Sequence, residues 1–244
     1  MIQVEGLVKV LGERRILDGV TFRAPTGAVT GLLGPNGAGK TTTMRVLSTL
    51  LRPDGGRVEV AGYDVASAPE DVRRSIGLVT EEPGLHDRLT VREQLTYTAA
   101  AYGIGRDASR RRIDHLAELI GLTAHLDERA GILSKGNRQK VSLCRALVHD
   151  PPVVLLDEPT SGLDVVAAAG LEQLLAEADL TGGRTVLLST HRLEEAERRA
   201  ARFVGIAGGR VVVDGTPDEV MALAGASSFR DAFVHLLGAA ELTS

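Results

Sequence analysis

The chain holds a single cysteine, so no disulfide can form within it and the fold must stand on packing alone. Cys144 falls inside an apolar-periodic run, VSLCRAL, and reads as a buried thiol in a reducing compartment rather than a reactive one. Positive charge is not in excess: 28 Lys and Arg stand against 32 Asp and Glu, a formal net charge of −4. That balance excludes a bulk electrostatic grip on nucleic acid, so any partner has to be argued from a local site. Long apolar runs are missing too. Stretches such as Val29–Leu33 and Val153–Leu156 fall far short of the ~20 residues a membrane helix needs, and the start, MIQVEGLVKV, shows no cationic leader. The expectation is a soluble chain with no span of its own. No long internal repeat and no low-complexity linker interrupts it.

With 244 residues the chain can bury a real core, as one large domain or one domain with an inserted lobe. Apolar runs alternate with helical periodicity, the pattern of an α/β fold. Strand-like stretches lie around Gln3–Val10, Val20–Ala24 and Val29–Leu33, and again at Arg57–Val60 and Ile76–Val79. Between these sets Met44, Val46, Leu47, Leu50 and Leu51 mark one face of a helix. From Leu89 to about His149 the pattern is helical throughout, opened by a capping box at Thr90 and Glu93. Strands return with VVLLD and TVLLST, unbroken apolar runs suited to a sheet covered on both faces. FVGIAGGRVVVDG reads as a hairpin, and Thr216, Pro217 and Glu219 open a late helix. The fold class read from this pattern is α/β, with a β-rich N-terminal part and an inserted helical lobe. The core covers 1–82 and 151–244 and the lobe about 83–150.

Chemistry enters with VTGLLGPNGAGKTT, a strand followed by Gly34, Pro35, Asn36, Gly37, Ala38, Gly39, Lys40, Thr41 and Thr42 in the GxxxxGK[ST] spacing. Glycines are needed there because backbone amides must turn inward onto phosphate oxygens, where a Cβ would block approach. The amides and the following helix N-terminus hold the phosphates, Lys40 reaches the β and γ oxygens, and the Thr41 hydroxyl ligates Mg²⁺. Asp157, ending the strand VVLLD, is placed to hold the same Mg²⁺ through water. Glu158, one residue on, faces the attacking water as a general base, which makes a hydrolase rather than a passive binder. His191 ends another strand, in TVLLSTHR, and carries little meaning alone.

In the order GPNGAGKTT, LSKGNRQK, VVLLDEPTSGLD and Ser189–His191, these segments resemble the ATP-binding subunit of ATP-binding cassette transporters, over about residues 2–237. The resemblance implies a mixed-sheet core of the P-loop NTPase type, with ATP and Mg²⁺ as cofactors. It also implies a second cassette as partner, a copy or a relative, paired head to tail so that the signature of one closes over ATP held by the other. LSKGN stands where that family usually has LSGGQ, so Ser134, Lys135, Gly136 and Asn137 become the trans half-site, Asp164 of SGLD an interface residue, and His191 the group that touches the γ-phosphate. The physical reading agrees, since Ser134 can cap a helix whose first amides face an anion.

Three departures qualify the match. The family's usual Gln after the strand Ile76–Val79 is Glu81 here, a carboxylate that either ligates the metal or hangs back from it. The aromatic that stacks on adenine in the family is replaced by Leu11, which leaves the base apolar packing alone. Lys135 replaces a Gly and is read as facing solvent, because a cation at a helix N-terminus opposes the dipole unless an anion is bound. The phrases EEPGLHDRLTVREQL and RALVHDPPVVLLDEP look most like bacterial exporter cassettes of the drug, antibiotic and sodium efflux group. The expectation is therefore a peripheral protein at the cytoplasmic face of the membrane, cytoplasmic when isolated, driving separate integral membrane subunits docked near Gly84–Leu95. Two other readings stay open: a soluble cassette of translation or repair, supported only by Arg106, Arg110, Arg111 and Arg112, and a generic phosphate-loop kinase or GTPase, which LSKGN and Glu158 disfavour. No nucleic acid is expected.

Overall fold

Strands of unbroken apolar residues need cover on both faces, and that need arranges the rest of the chain around them. The computed structural model describes residues 1–163, 165, 168–169 and 183–241. A first, antiparallel sheet is built from β1 (Ile2–Leu11), β2 (Arg14–Ala24), β4 (Gly55–Val60) and β5 (Tyr63–Asp64), in the order β2-β1-β4-β5. A second sheet contains β3 (Val29–Leu33), β6 (Ile76–Val79), β7 (Val153–Asp157), β8 (Thr185–Thr190), β9 (Arg202–Ala207) and β10 (Arg210–Gly215). Its order is β10-β9-β3-β8-β7-β6, parallel throughout except for β10, the outer arm of the hairpin expected from FVGIAGGRVVVDG.

Alternation along the buried strands feeds two cores. Val153 and Leu155 of β7 face the first sheet, where they join Ile2, Phe22 and Met44 of α1 (Lys40–Leu47). Val154 and Leu156 face the other way and join Leu95, Ile113 and Leu147, which belong to α3 (Val91–Ala101), α4 (Arg106–Ile120) and α5 (Lys135–Leu147). The helical lobe is thus packed directly on the back of the sheet. Helix α2 (Pro69–Ser75) leads into β6. After β8 come α6 (Leu193–Glu197), then, beyond the hairpin, α7 (Pro217–Ala224) and α8 (Phe229–Glu241). They close a third cluster in which the rings of Phe203, Phe229 and Phe233 meet at a tilt, with centroid distances of 4.3 and 5.6 Å.

The capping boxes at Thr90–Glu93 and Thr216–Glu219 are both formed. Cys144 has no exposed surface, and burial pushes its thiol up to about 12, which leaves it protonated and inert. Of the basic cluster on α4, Arg106, Arg110 and Arg111 are exposed, while Arg112 donates to Asp150 Oδ1 at 2.9 Å and ties the lobe to the turn before β7.

Two expectations need correction. Helix α1 ends at Leu47, and Thr49 takes a left-handed φ of 62°, so Leu50 turns outward at 63% exposure instead of continuing the apolar face. β2 begins at Arg14 rather than near Val20, because its first residues pair with the end of β1 around a tight turn at Gly12, which charged side chains had masked in the sequence. On α3, Tyr97 stands out from the lobe at 74% exposure.

The lobe meets the sheet with no room to spare at Gly77: a Cβ there would sit 2.2 Å from the carbonyl oxygen of Ala146 in α5. Gly77→Ala is expected to lower stability by about 1–3 kcal/mol through this overlap, measured as a shift in the denaturant midpoint at unchanged slope.

Candidate nucleotide site

Three strand ends define the site. β3, β8 and β7 are parallel neighbours, with Leu33 opposite Thr190 and Asp157 opposite Ser189. The residues that follow each strand therefore leave the sheet at one carboxyl edge, the side on which open α/β sheets bind ligands. The loop after β3 lies against β9: a Cβ on Gly34 would stand 2.2 Å from the carbonyl oxygen of Ile206. Gly39, the residue before α1, has φ 110°, a conformation that L side chains rarely adopt.

These features shape a cavity of about 450 Å³ lined by Asn36, Gly37, Gly39, Lys40, Thr41 and Thr42 on one side and Glu81, Glu158, Ser161 and His191 on the other. Leu11 and Ile16 form its apolar end. Lys40 is 5% exposed, and its ammonium donates to the carbonyls of Gly34 (2.7 Å) and Pro35 (3.1 Å). It also lies 3.6 Å from Glu158 Oε1. The cation thus holds the loop in shape before any phosphate arrives.

Glu158 is held in a strained conformation, φ 49°, fixed by its N–H donating to Ser189 O at 2.9 Å. Its Oε2 lies 2.9 Å from His191 Nδ1, so one carboxylate bridges the lysine of the phosphate loop and the histidine at the end of β8. Asp157 is 5% exposed, with Oδ1 3.5 Å from Thr41 Oγ1. Both line an adjoining cavity of about 330 Å³ that also takes in Glu81. Among the described residues no group of three His, Cys, Asp or Glu is arranged to hold a metal; a cation placed between Thr41 Oγ1 and Asp157 Oδ1 would meet two hard protein oxygens. That donor set fits Mg²⁺, which keeps waters and takes its remaining oxygens from phosphates. Glu81 is engaged elsewhere: its Oε1 accepts from Ser161 Oγ at 2.8 Å.

The LSKGN segment does not line this cavity. Ser134 caps α5 by accepting from the Asn137 N–H at 3.3 Å, as expected. The Asn137 amide nitrogen lies 3.1 Å from His125 Nε2, whose Nδ1 is 2.9 Å from Glu128 Oε2. Lys135 is exposed but does not simply face water: its ammonium lies over Gly162, where a Cβ would come within 2.1 Å of Nζ. Asp164 lies outside the described residues. Sequence reasoning missed Ile16, hidden by the misplaced start of β2, and Ser161, whose only signal was its place in SGLD.

Burial raises the carboxyl of Asp157 above the usual range, and the charges of Glu158 and Glu81 push the same way. A raised acid contributes stability that is present below its unfolded value and lost as pH rises through its folded value, so at neutral pH the ionised group is a cost. Asp157→Asn is expected to raise the denaturant midpoint of the nucleotide-free protein at pH 7. The gain should shrink as the pH is lowered and Asp157 of the parent takes up its proton, which a midpoint series against pH would show.

Comparison with known proteins agrees with this geometry. The sequence profile of the ABC transporter family matches residues 17–161. The chain is 42% identical over 224 residues to the daunorubicin resistance ATP-binding protein DrrA2 of Streptomyces coeruleorubidus, covering 92% of this chain and 69% of that one. A solved ATP-binding subunit of an ABC transporter superposes with a TM-score of 0.87 at 34% identity, covering 96% of this chain and 98% of the other. The dimeric MJ0796, a bacterial ABC transporter cassette, gives 0.80 at 27% identity, with 88% and 98% covered. The chain belongs to the ABC transporter family, as one of its ATP-binding and ATP-hydrolysing subunits.

Proposed function

We propose that the chain hydrolyses MgATP at this cavity with Glu158 as general base and powers export through separate membrane subunits. The observation that carries the reading is the single carboxylate of Glu158 set between Lys40, at 3.6 Å, and His191, at 2.9 Å. The loop amides and Lys40 bind the phosphates; the ammonium exchanges its carbonyl partners for β and γ oxygens. Leu11 and Ile16 pack on the base by apolar contact alone, which gives weak selectivity between bases. Thr41 and Asp157 hold the cation, which when bound neutralises charge on the phosphate oxygens. Glu158 orients a water and takes its proton, while His191 fixes the carboxylate and contacts the γ-phosphate.

The site is completed in trans. Ser134, Gly136 and Asn137 sit at an exposed helix N-terminus away from their own chain's cavity, which suits them to the γ-phosphate of a head-to-tail partner, with Asp164 at the interface. DrrA2, by its name, serves daunorubicin resistance, which supports export over import. No helix among the described residues is long and apolar enough to cross a membrane, so the spans come from partner subunits. Their seat is the apolar rim beside the lobe, where Leu50 and Tyr97 are 63% and 74% exposed and a cavity of about 360 Å³ is lined by His86, Asp87, Arg88, Leu89 and Tyr97. With membrane subunits seated there, the protein works as a peripheral subunit at the cytoplasmic face of the membrane. The lobe, about 83–150, moves against the rest of a single cassette as the pair closes.

Glu158→Gln is expected to bind ATP and dimerise while turnover falls by about 100- to 10,000-fold. Turnover at the parent rate would remove Glu158 from the role of base. Glu81→Gln is expected to alter the Mg²⁺ dependence of hydrolysis, because it removes a carboxylate that shares a cavity with Asp157. An unchanged Mg²⁺ titration would leave Glu81 as no more than the acceptor for Ser161.

A further inference from the structure

Glu195 is a carboxylate 2% exposed that does not line the nucleotide cavity. It stands on α6, and among its contacts are hydroxyls from two different segments. Thr160 Oγ1 donates to it, 3.1 Å from each carboxylate oxygen, and Thr190 Oγ1 donates to Oε2 at 2.9 Å. Both threonines are themselves buried, at 4% and 0% exposure. Thr160 lies two residues after Glu158, and Thr190 immediately precedes His191. Thr160 lies within a turn closed by its neighbours, and Thr190 itself anchors one. The Ser161 N–H donates to Glu158 O at 3.0 Å, and the Arg192 N–H donates to Thr190 Oγ1 at 3.1 Å, so the residues flanking Glu158 and His191 have little freedom. A buried carboxylate depends on such donors, because losing one leaves its charge unsolvated.

We propose that Glu195 is a positioning residue for ATP hydrolysis: it clamps the turn that carries Glu158 to the strand end that carries His191. The clamp keeps Glu158 Oε2 and His191 Nδ1 in contact at 2.9 Å across two segments that share no sequence proximity. It also resists the strain at Glu158, whose left-handed backbone would relax if the turn were released. Glu195 itself meets neither phosphate nor water in this scheme and acts through Thr160 and Thr190. The inference rests on the roles proposed above for Glu158 and His191.

The test is steady-state hydrolysis together with the Kd of a fluorescent ATP analogue, measured on Glu195→Ala and Glu195→Gln and on each combined with Glu158→Gln. A lost clamp lowers kcat by about 100-fold in Glu195→Ala, the scale expected of a displacement near 1 Å at the reacting groups, and leaves Kd unchanged. Glu195→Gln keeps one acceptor oxygen and falls between parent and alanine. In the Glu158→Gln background the further change at Glu195 adds nothing, because the group being positioned is already gone. If Glu195→Ala does not yield folded protein, Thr160→Val and Thr190→Val carry the same kcat-against-Kd comparison, one hydroxyl at a time. A parent kcat in folded Glu195→Ala, a parallel loss of kcat and Kd, or a full additional loss in the Glu158→Gln background overturns the proposal. Parent turnover in Glu158→Gln alone overturns the base assignment, and the clamp with it, by a measurement that leaves Glu195 untouched.

Discussion

The parallel pairing of β3 with β8 and of β8 with β7 is the constraint on which everything else depends. It brings Leu33, Asp157 and Thr190, drawn from three separate stretches of the chain, to one edge of one sheet. Parallel strands need crossovers, and crossovers put cover on both faces, which is why these strands are apolar without interruption. The same burial that holds the sheet together leaves its carboxyl edge as the place where polar groups can emerge. There the phosphate loop, Asp157, Glu158 and His191 come out together.

That convergence concentrates charge where solvent is scarce. Lys40, Asp157 and Glu158 are all at or below 9% exposure, and Asp157 is held above its usual range by burial first and by its acidic neighbours next. An isolated buried charge is costly, so these groups lean on each other: Lys40 on Glu158 and the loop carbonyls, Glu158 on His191, Asp157 on the Thr41 hydroxyl. The strained backbone of Glu158 belongs to the same arrangement, since a relaxed turn would withdraw the carboxylate from both of its partners. Stability given up at this edge is recovered in the two aliphatic cores on either face of β7 and in the phenylalanine cluster around α8.

Much of this is legible in the sequence. VVLLD and TVLLST read as doubly covered strands because no polar residue breaks them, and Thr90 and Thr216 announced helix starts because a capping box is local chemistry. The outward turn of Leu50 was not legible, since it depends on the left-handed Thr49, an unusual conformation that side-chain pattern does not encode. Nor was the early start of β2, where arginines on an exposed edge strand hide the alternation. Ile16 was lost to the cavity for that reason. The resting place of Lys135 over Gly162 likewise needed two segments seen side by side.

By itself the sequence determined the α/β class, the phosphate loop and the identity of the groups able to hold phosphate, cation and water, because each of these is written in a contiguous spacing. Tertiary structure alone decided which of those groups meet. Glu81 lies on Ser161, Glu158 bridges Lys40 and His191, and Glu195 gathers Thr160 and Thr190, while the Ser134 segment stands apart. The physical reason is that hydrogen bonds between distant segments are set by strand order and register, and register is fixed by the packing of whole faces rather than by any local run of residues.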